Sequence, residues 1–104
     1  MSSPEFTKVI RAFARDGRVS IGDGKGFGAG GLKVDGKLFA LISSRGQFVA
    51  KLPKRRVEEL VAQRKGEQFD PGHGRLMREW IAVHGEGDWL TLAREARRYV
   101  GGGD

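Results

Sequence analysis

The sequence predicts an α+β domain in which helices pack on one antiparallel sheet, a two-layer sandwich. Three observations carry this reading. Apolar residues recur at helical spacing in separate segments, the period drops to two between Arg18 and Leu52, and the connections in that middle stretch are of hairpin length. Parallel strands need crossovers of a dozen residues or more, so these short links exclude a doubly wound parallel sheet.

Taken in order, Pro4 to Arg15 places Phe6, Val9, Ile10 and Phe13 on one helical face. Ser3 is positioned to cap this helix, Pro4 suits its first turn, and Gly17 is expected to close it in the left-handed conformation. Four strands follow: Arg18 to Gly22, Phe27 to Val34, Lys37 to Ser43, and Gln47 to Leu52. Asp35-Gly36 predicts a tight hairpin turn, because both residues tolerate positive φ. In the fourth strand Phe48, Ala50 and Leu52 share one face, which is therefore the core face.

Pro53 opens a second helix over Lys54 to Lys65, with Val57, Leu60 and Val61 on its apolar side and Gly66 as its stop. "EQFDPGHG" reads as a loop, and Arg75 to Val83 as a fifth strand. Asp88 is the expected cap of a last helix, Trp89 to Val100, whose stripe is Trp89, Leu92, Ala93, Ala96, Tyr99 and Val100. Residues 1–100 thus make a single domain, and the closing "GGGD", 101–104, reads as a flexible tail.

A chain of 104 residues with 38% hydrophobic residues builds one core, despite its 31% charged residues. It has no cysteine, hence no disulfide framework and no thiolate metal site. The longest apolar run, Leu38 to Ile42, is far short of a membrane span, and "MSSPEFTKVIRAF" has no signal-peptide pattern. The expectation is a cytoplasmic protein, not membrane-bound, monomeric or weakly dimeric. A net charge of +6 and a pI near 10.2 favour a polyanionic partner, with the placement of the charges deciding whether one binds.

The sharpest motif is Gly26 to Gly31, "GFGAGG", which fits G-x-G-x-x-G. A dinucleotide fingerprint requires a helix after these glycines, to offer its free N–H groups to the pyrophosphate. Here "LKVDGKLF" follows, a strand and a turn, so the glycines are read as a device for a bulge, a strong twist or close backbone approach. A small-ligand pocket beside them is the least favoured of three functional readings.

The run "KGFGAGGLKVDGKLFALISSRGQFVAKLP", with "FDPGHGRLMREWIAV" and "DWLTLAREARRYV" after it, resembles the MmcQ/YjbR group of small bacterial proteins and the related TfoX N-terminal domains. The resemblance spans about Lys25 to Val100. It implies a compact YjbR/frataxin-like arrangement of helices against an antiparallel sheet. It also implies a DNA-binding or regulatory role, and it brings no catalytic motif with it.

Enzyme signatures are absent from the residues as well: there is no G-x-S-x-G, no H-E-x-x-H and no cysteine nucleophile, and His73 and His84 lack a metal-ligand spacing. The expectation is a non-enzyme without cofactor or metal. Arg94, Arg97 and Arg98 complement the dipole of the last helix and require no functional explanation. The cluster Lys51, Lys54, Arg55 and Arg56 differs, because three of its members occupy the first turn of a helix. There each cation is disfavoured by a few tenths of a kcal/mol up to about 1. Local rules tend to be broken at functional sites. Arg78 and Trp80, two apart on the fifth strand, are expected to share a face and form an aromatic and basic platform. The candidate nucleic-acid-binding residues are therefore Lys51, Lys54, Arg55, Arg56, Arg78 and Trp80.

The leading expectation is a binding module making weak, phosphate-backbone-directed contacts to DNA. No helix has a polar base-reading face, so sequence-specific readout is not expected. The alternative is a protein-interaction or regulatory domain that takes an acidic protein partner and no nucleic acid.

Overall fold

The computed structural model describes residues 4–22, 30–43, 45–70, 77–85 and 87–102. Within them the order is α1 (Pro4–Ala12), β1 (Val19–Ile21), β2 (Leu32–Val34), β3 (Lys37–Ile42), β4 (Phe48–Lys51), α2 (Lys54–Ala62), β5 (Gly66–Phe69), β6 (Met77–Val83) and α3 (Trp89–Gly101). The six strands form one antiparallel sheet ordered β1-β2-β3-β4-β6-β5, and the helices pack against it, so the fold is α+β. The turn at Asp35-Gly36 has positive φ at both residues, as its chemistry requires. Of the glycine-rich motif, residues 26–29 lie outside the described residues, as do Ser3 and His73. Gly30 and Gly31 close the β1–β2 connection, the Gly22 N–H donating to the Gly31 carbonyl at 2.6 Å.

The main core lies between the helices and one sheet face. Alternation puts Leu32, Val34, Ala40, Phe48, Ala50, Ile81 and Val83 there, against Phe6 and Val9 of α1, Val57 and Leu60 of α2, and Trp89, Leu92, Ala93 and Ala96 of α3. A bulge at Phe39 makes β3 irregular, since Leu38 pairs with Lys33 while Ala40 pairs with Leu32. Phe39 and Ala40 both enter the core as a result, and Leu38 and Leu41 belong to the smaller cluster with Val49, Phe69, Trp80 and Ala82.

Three expectations about the second half are corrected. Residues 66–69, read as a helix stop and a loop, are strand β5, paired to β6 with Gly66 opposite Val83. Gly66 is there for proximity: a Cβ on it would stand 2.6 Å from the Ala82 carbonyl oxygen and 2.9 Å from the Ile81 side chain. The stop of α2 is instead Arg64, at φ 62. Lys65 N–H donates to the Leu60 carbonyl and Arg64 N–H to that of Val61, the paired bonds of a left-handed helix ending. Val61, expected on the buried side, is 38% exposed.

A left-handed non-glycine residue carries a penalty of about 1 kcal/mol, partly offset by the freer unfolded chain of a glycine variant. Arg64→Gly is therefore expected to stabilise the fold by about 0.5 kcal/mol, seen as a Tm rise of about 2–4 °C.

The helix ends bring further corrections. α1 stops at Ala12 rather than Arg15, and Gly17 is not among the glycines with positive φ. Asp88 stands at the start of α3 without a side-chain capping bond, its carboxylate 3.9 Å from Lys65 Nζ. Gly101 and Gly102 belong to α3 and its left-handed cap, so they are not part of a tail.

The end of α3 is tied down by ion pairs. Arg97 Nε donates to Asp16 Oδ2 at 2.8 Å, while Arg18 binds Asp35 and donates to the Gly101 carbonyl at 2.6 Å. The Arg97 guanidinium and the Arg18 backbone N–H hold the Asp16 carboxyl below its usual range, and Arg18 does the same for Asp35. Depressed folded-state values contribute stability above the unfolded pKa of about 3.9 that is lost as pH falls through the lower folded values. Thermal melts are therefore expected to show a Tm decline setting in below about pH 4. The double variant Asp16→Asn, Asp35→Asn is expected to start lower at neutral pH and decline less.

Candidate nucleic-acid interface

Lys51, Lys54, Arg55, Arg56 and Trp80 lie around the β4–α2 connection, but on two sides of the sheet: Lys51 covers Trp80 on the face of the smaller cluster, while Lys54, Arg55 and Arg56 belong to α2 on the helix face. Lys51 is the register partner of Trp80, and the Leu52 N–H donates to the Glu79 carbonyl at 2.9 Å, so the beginning of β6 lies beside the β4–α2 connection. Pro53 then starts α2 with a fixed φ and no side-chain capping bond, and the first helical N–H to find a partner is that of Val57, on the Pro53 carbonyl. No acidic residue stands in that first turn. The N-terminal end of α2 is therefore positive in both backbone and side chains.

Individual roles within the cluster differ. Lys54 and Arg55 are exposed. Lys54 has Glu58 4.0 Å away, but both side chains are more than half exposed, and such a pair contributes little. Arg56 is committed elsewhere: it donates to Glu95 of α3 through Nε at 2.9 Å and Nη2 at 3.2 Å, and to Glu59 at 3.1 Å. Glu95, and secondarily Glu59, raise its pKa. A guanidinium fixed in this fork geometry joins α2 to α3, and a phosphate would have to displace a carboxylate to use it.

The Arg78 and Trp80 platform is also corrected. Trp80 is 8% exposed, packed with Leu41, Val49, Phe69 and Ala82, which leaves little ring for a base to cover. The cation over it is Lys51, with Nζ 5.8 Å from the ring centroid. The pairing of β5 with β6 jumps from Gln68–Ile81 to Phe69–Met77, so a bulge precedes Ile81 on that side and the two-residue spacing does not put Arg78 on the face of Trp80. Arg78 itself is exposed.

Beside the start of α2 runs a groove of about 530 Å³, lined by Leu52, Pro53, Arg56, Thr91, Arg94, Glu95, Arg98 and Tyr99. Arg94 and Arg98, one turn apart on α3, are exposed and have no ion pair among the described residues. The macrodipole accounts for cations late in a helix but does not say what they face. Arg97, between them in sequence, turns the other way to Asp16. Tyr99, expected on the buried stripe, is 41% exposed, and its hydroxyl donates to Glu79 Oε1 at 3.1 Å.

Among the described residues, no group of three His, Cys, Asp or Glu side chains is placed to hold a metal ion, and no helix is long and apolar enough to cross a membrane. No protein-family model matches the chain, and neither a curated protein nor a solved structure matches it.

Proposed function

We propose that the protein is a non-enzymatic module that binds nucleic acid weakly through its phosphate backbone, at the surface formed by the start of α2 and the groove beside it. The observation that carries this reading is that Arg94 and Arg98 line a recess in which Arg56 already neutralises Glu95, while Lys54 and Arg55 stand exposed in the α2 turn between its lining residues Pro53 and Arg56. Cations held close together release counterions from a polyanion as a group, and such binding reads charge rather than sequence. The resemblance to MmcQ/YjbR-like proteins points the same way.

The test is fluorescence anisotropy of labelled DNA at about 50 and about 200 mM salt, with the variant Lys54→Ala, Arg55→Ala in parallel. Arg56 is left intact, because replacing it would strand Glu95. Micromolar binding at low salt that weakens in the variant is the expected result. Absence of binding at low salt overturns the reading and moves the search to acidic protein partners.

A further inference from the structure

We infer that the occupant of this groove is a single strand of nucleic acid, with phosphates on Arg94 and Arg98 and a base stacked on the ring of Tyr99; this rests on the polyanion reading above. The recess of about 530 Å³ lies within the range of about 300–1,000 Å³ typical of small-ligand sites, so it has room for a nucleotide-sized group. Its chemistry is divided as such a ligand requires. Arg94 and Arg98 supply positive charge, Pro53 supplies apolar wall over the buried Leu52, and Tyr99 supplies an exposed aromatic ring.

Tyr99 is also held in place. Its hydroxyl is bonded to Glu79, which orients the ring at the groove. Burial and the Glu79 carboxylate both raise the hydroxyl's pKa. The acidic group in the lining, Glu95, is occupied by Arg56. A ring held this way loses little freedom when a base stacks on it.

A duplex would use only part of this surface. Its bases are already stacked on one another, so it offers phosphates to the arginines and nothing to Tyr99. A single strand presents phosphates and free π-faces together, and stacking tolerates any base.

The probe is a fluorescein-labelled oligothymidylate of about ten nucleotides, compared with a duplex of equal length. The single strand is expected to bind more tightly. Tyr99→Ala is expected to weaken it about tenfold, whereas Tyr99→Phe, which keeps the ring, stays within about twofold. In the wild-type protein, adding the oligonucleotide should shift the backbone amide signals of Leu52, of 54–56 and of 91–99, a readout independent of how any variant folds. Tighter duplex binding, a Tyr99→Ala variant of unchanged affinity, or amide shifts elsewhere would each overturn the inference. If in those cases Lys54→Ala, Arg55→Ala still weakens DNA binding, the polyanion reading survives and the groove assignment alone fails.

Discussion

Phe48→Ala is expected to lower the unfolding free energy by about 3–5 kcal/mol, the cost of emptying a fully buried phenylalanine site. Phe48 is 0% exposed and lies midway through the core. Its ring stacks on Trp89 at 5.0 Å between centroids with planes 15° apart, and meets Phe6 at 6.1 Å, so it joins β4 to both α3 and α1. Two features keep the loss near the top of the range. Aromatic pairs contribute beyond their buried area, and β4 is bonded to β3 on one side and β6 on the other, so the backbone has little freedom to collapse into the gap. Since domains are stable by about 5–15 kcal/mol in total, the variant should lose a third or more of its stability. Urea unfolding is the measurement, with the midpoint falling by about 1–3 M at an unchanged slope. A loss under about 1 kcal/mol would mean that the helices do not depend on this contact.

Phe48 was legible in the sequence because "QFVAKL" alternates and has strong strand formers. The Asp35-Gly36 turn and the apolar stripes of α1 and α3 were legible for the same kind of reason: their signals are local. What escaped was set by distant neighbours. Nothing in "GEQF" announces β5, since a glycine and two polar residues read as a loop, and only the carbonyl of Ala82, 16 residues on, explains Gly66. Arg64 gives no local sign that it takes the left-handed conformation that ends α2.

The candidate site divides along the same line. Lys54 and Arg55 were found because cations at a helix start break a local rule. Arg56 was grouped with them because Glu95 lies 39 residues away, and a tertiary ion pair has no sequence period. Arg94 and Arg98 carry no such signal, because a helix dipole already accounts for cations towards a helix end. Arg98, in the last turn of α3, satisfies the macrodipole, while the direction of the face that it shares with Arg94 depends on how α3 docks beside α2.

Salt dependence should separate the functional readings most sharply, because it counts the cations engaged. If Lys54, Arg55, Arg94 and Arg98 each meet a phosphate of a single strand, the slope of log K on log salt is about −0.7 per contact. Four contacts give a slope near −2.8, so affinity should fall about 50-fold, or about 2.3 kcal/mol, between about 50 and 200 mM salt. Removing Lys54 and Arg55 halves the number of contacts, and the same change should then weaken binding only about sevenfold. Wild type and variant should therefore differ most at low salt and converge as salt rises. Loss of two packing contacts would shift both curves by a constant factor, so parallel lines in that plot would argue against phosphate contacts even if the variant bound less well. An acidic protein docking mainly through apolar surface would give a shallow slope in both proteins, since hydrophobic burial releases no condensed counterions.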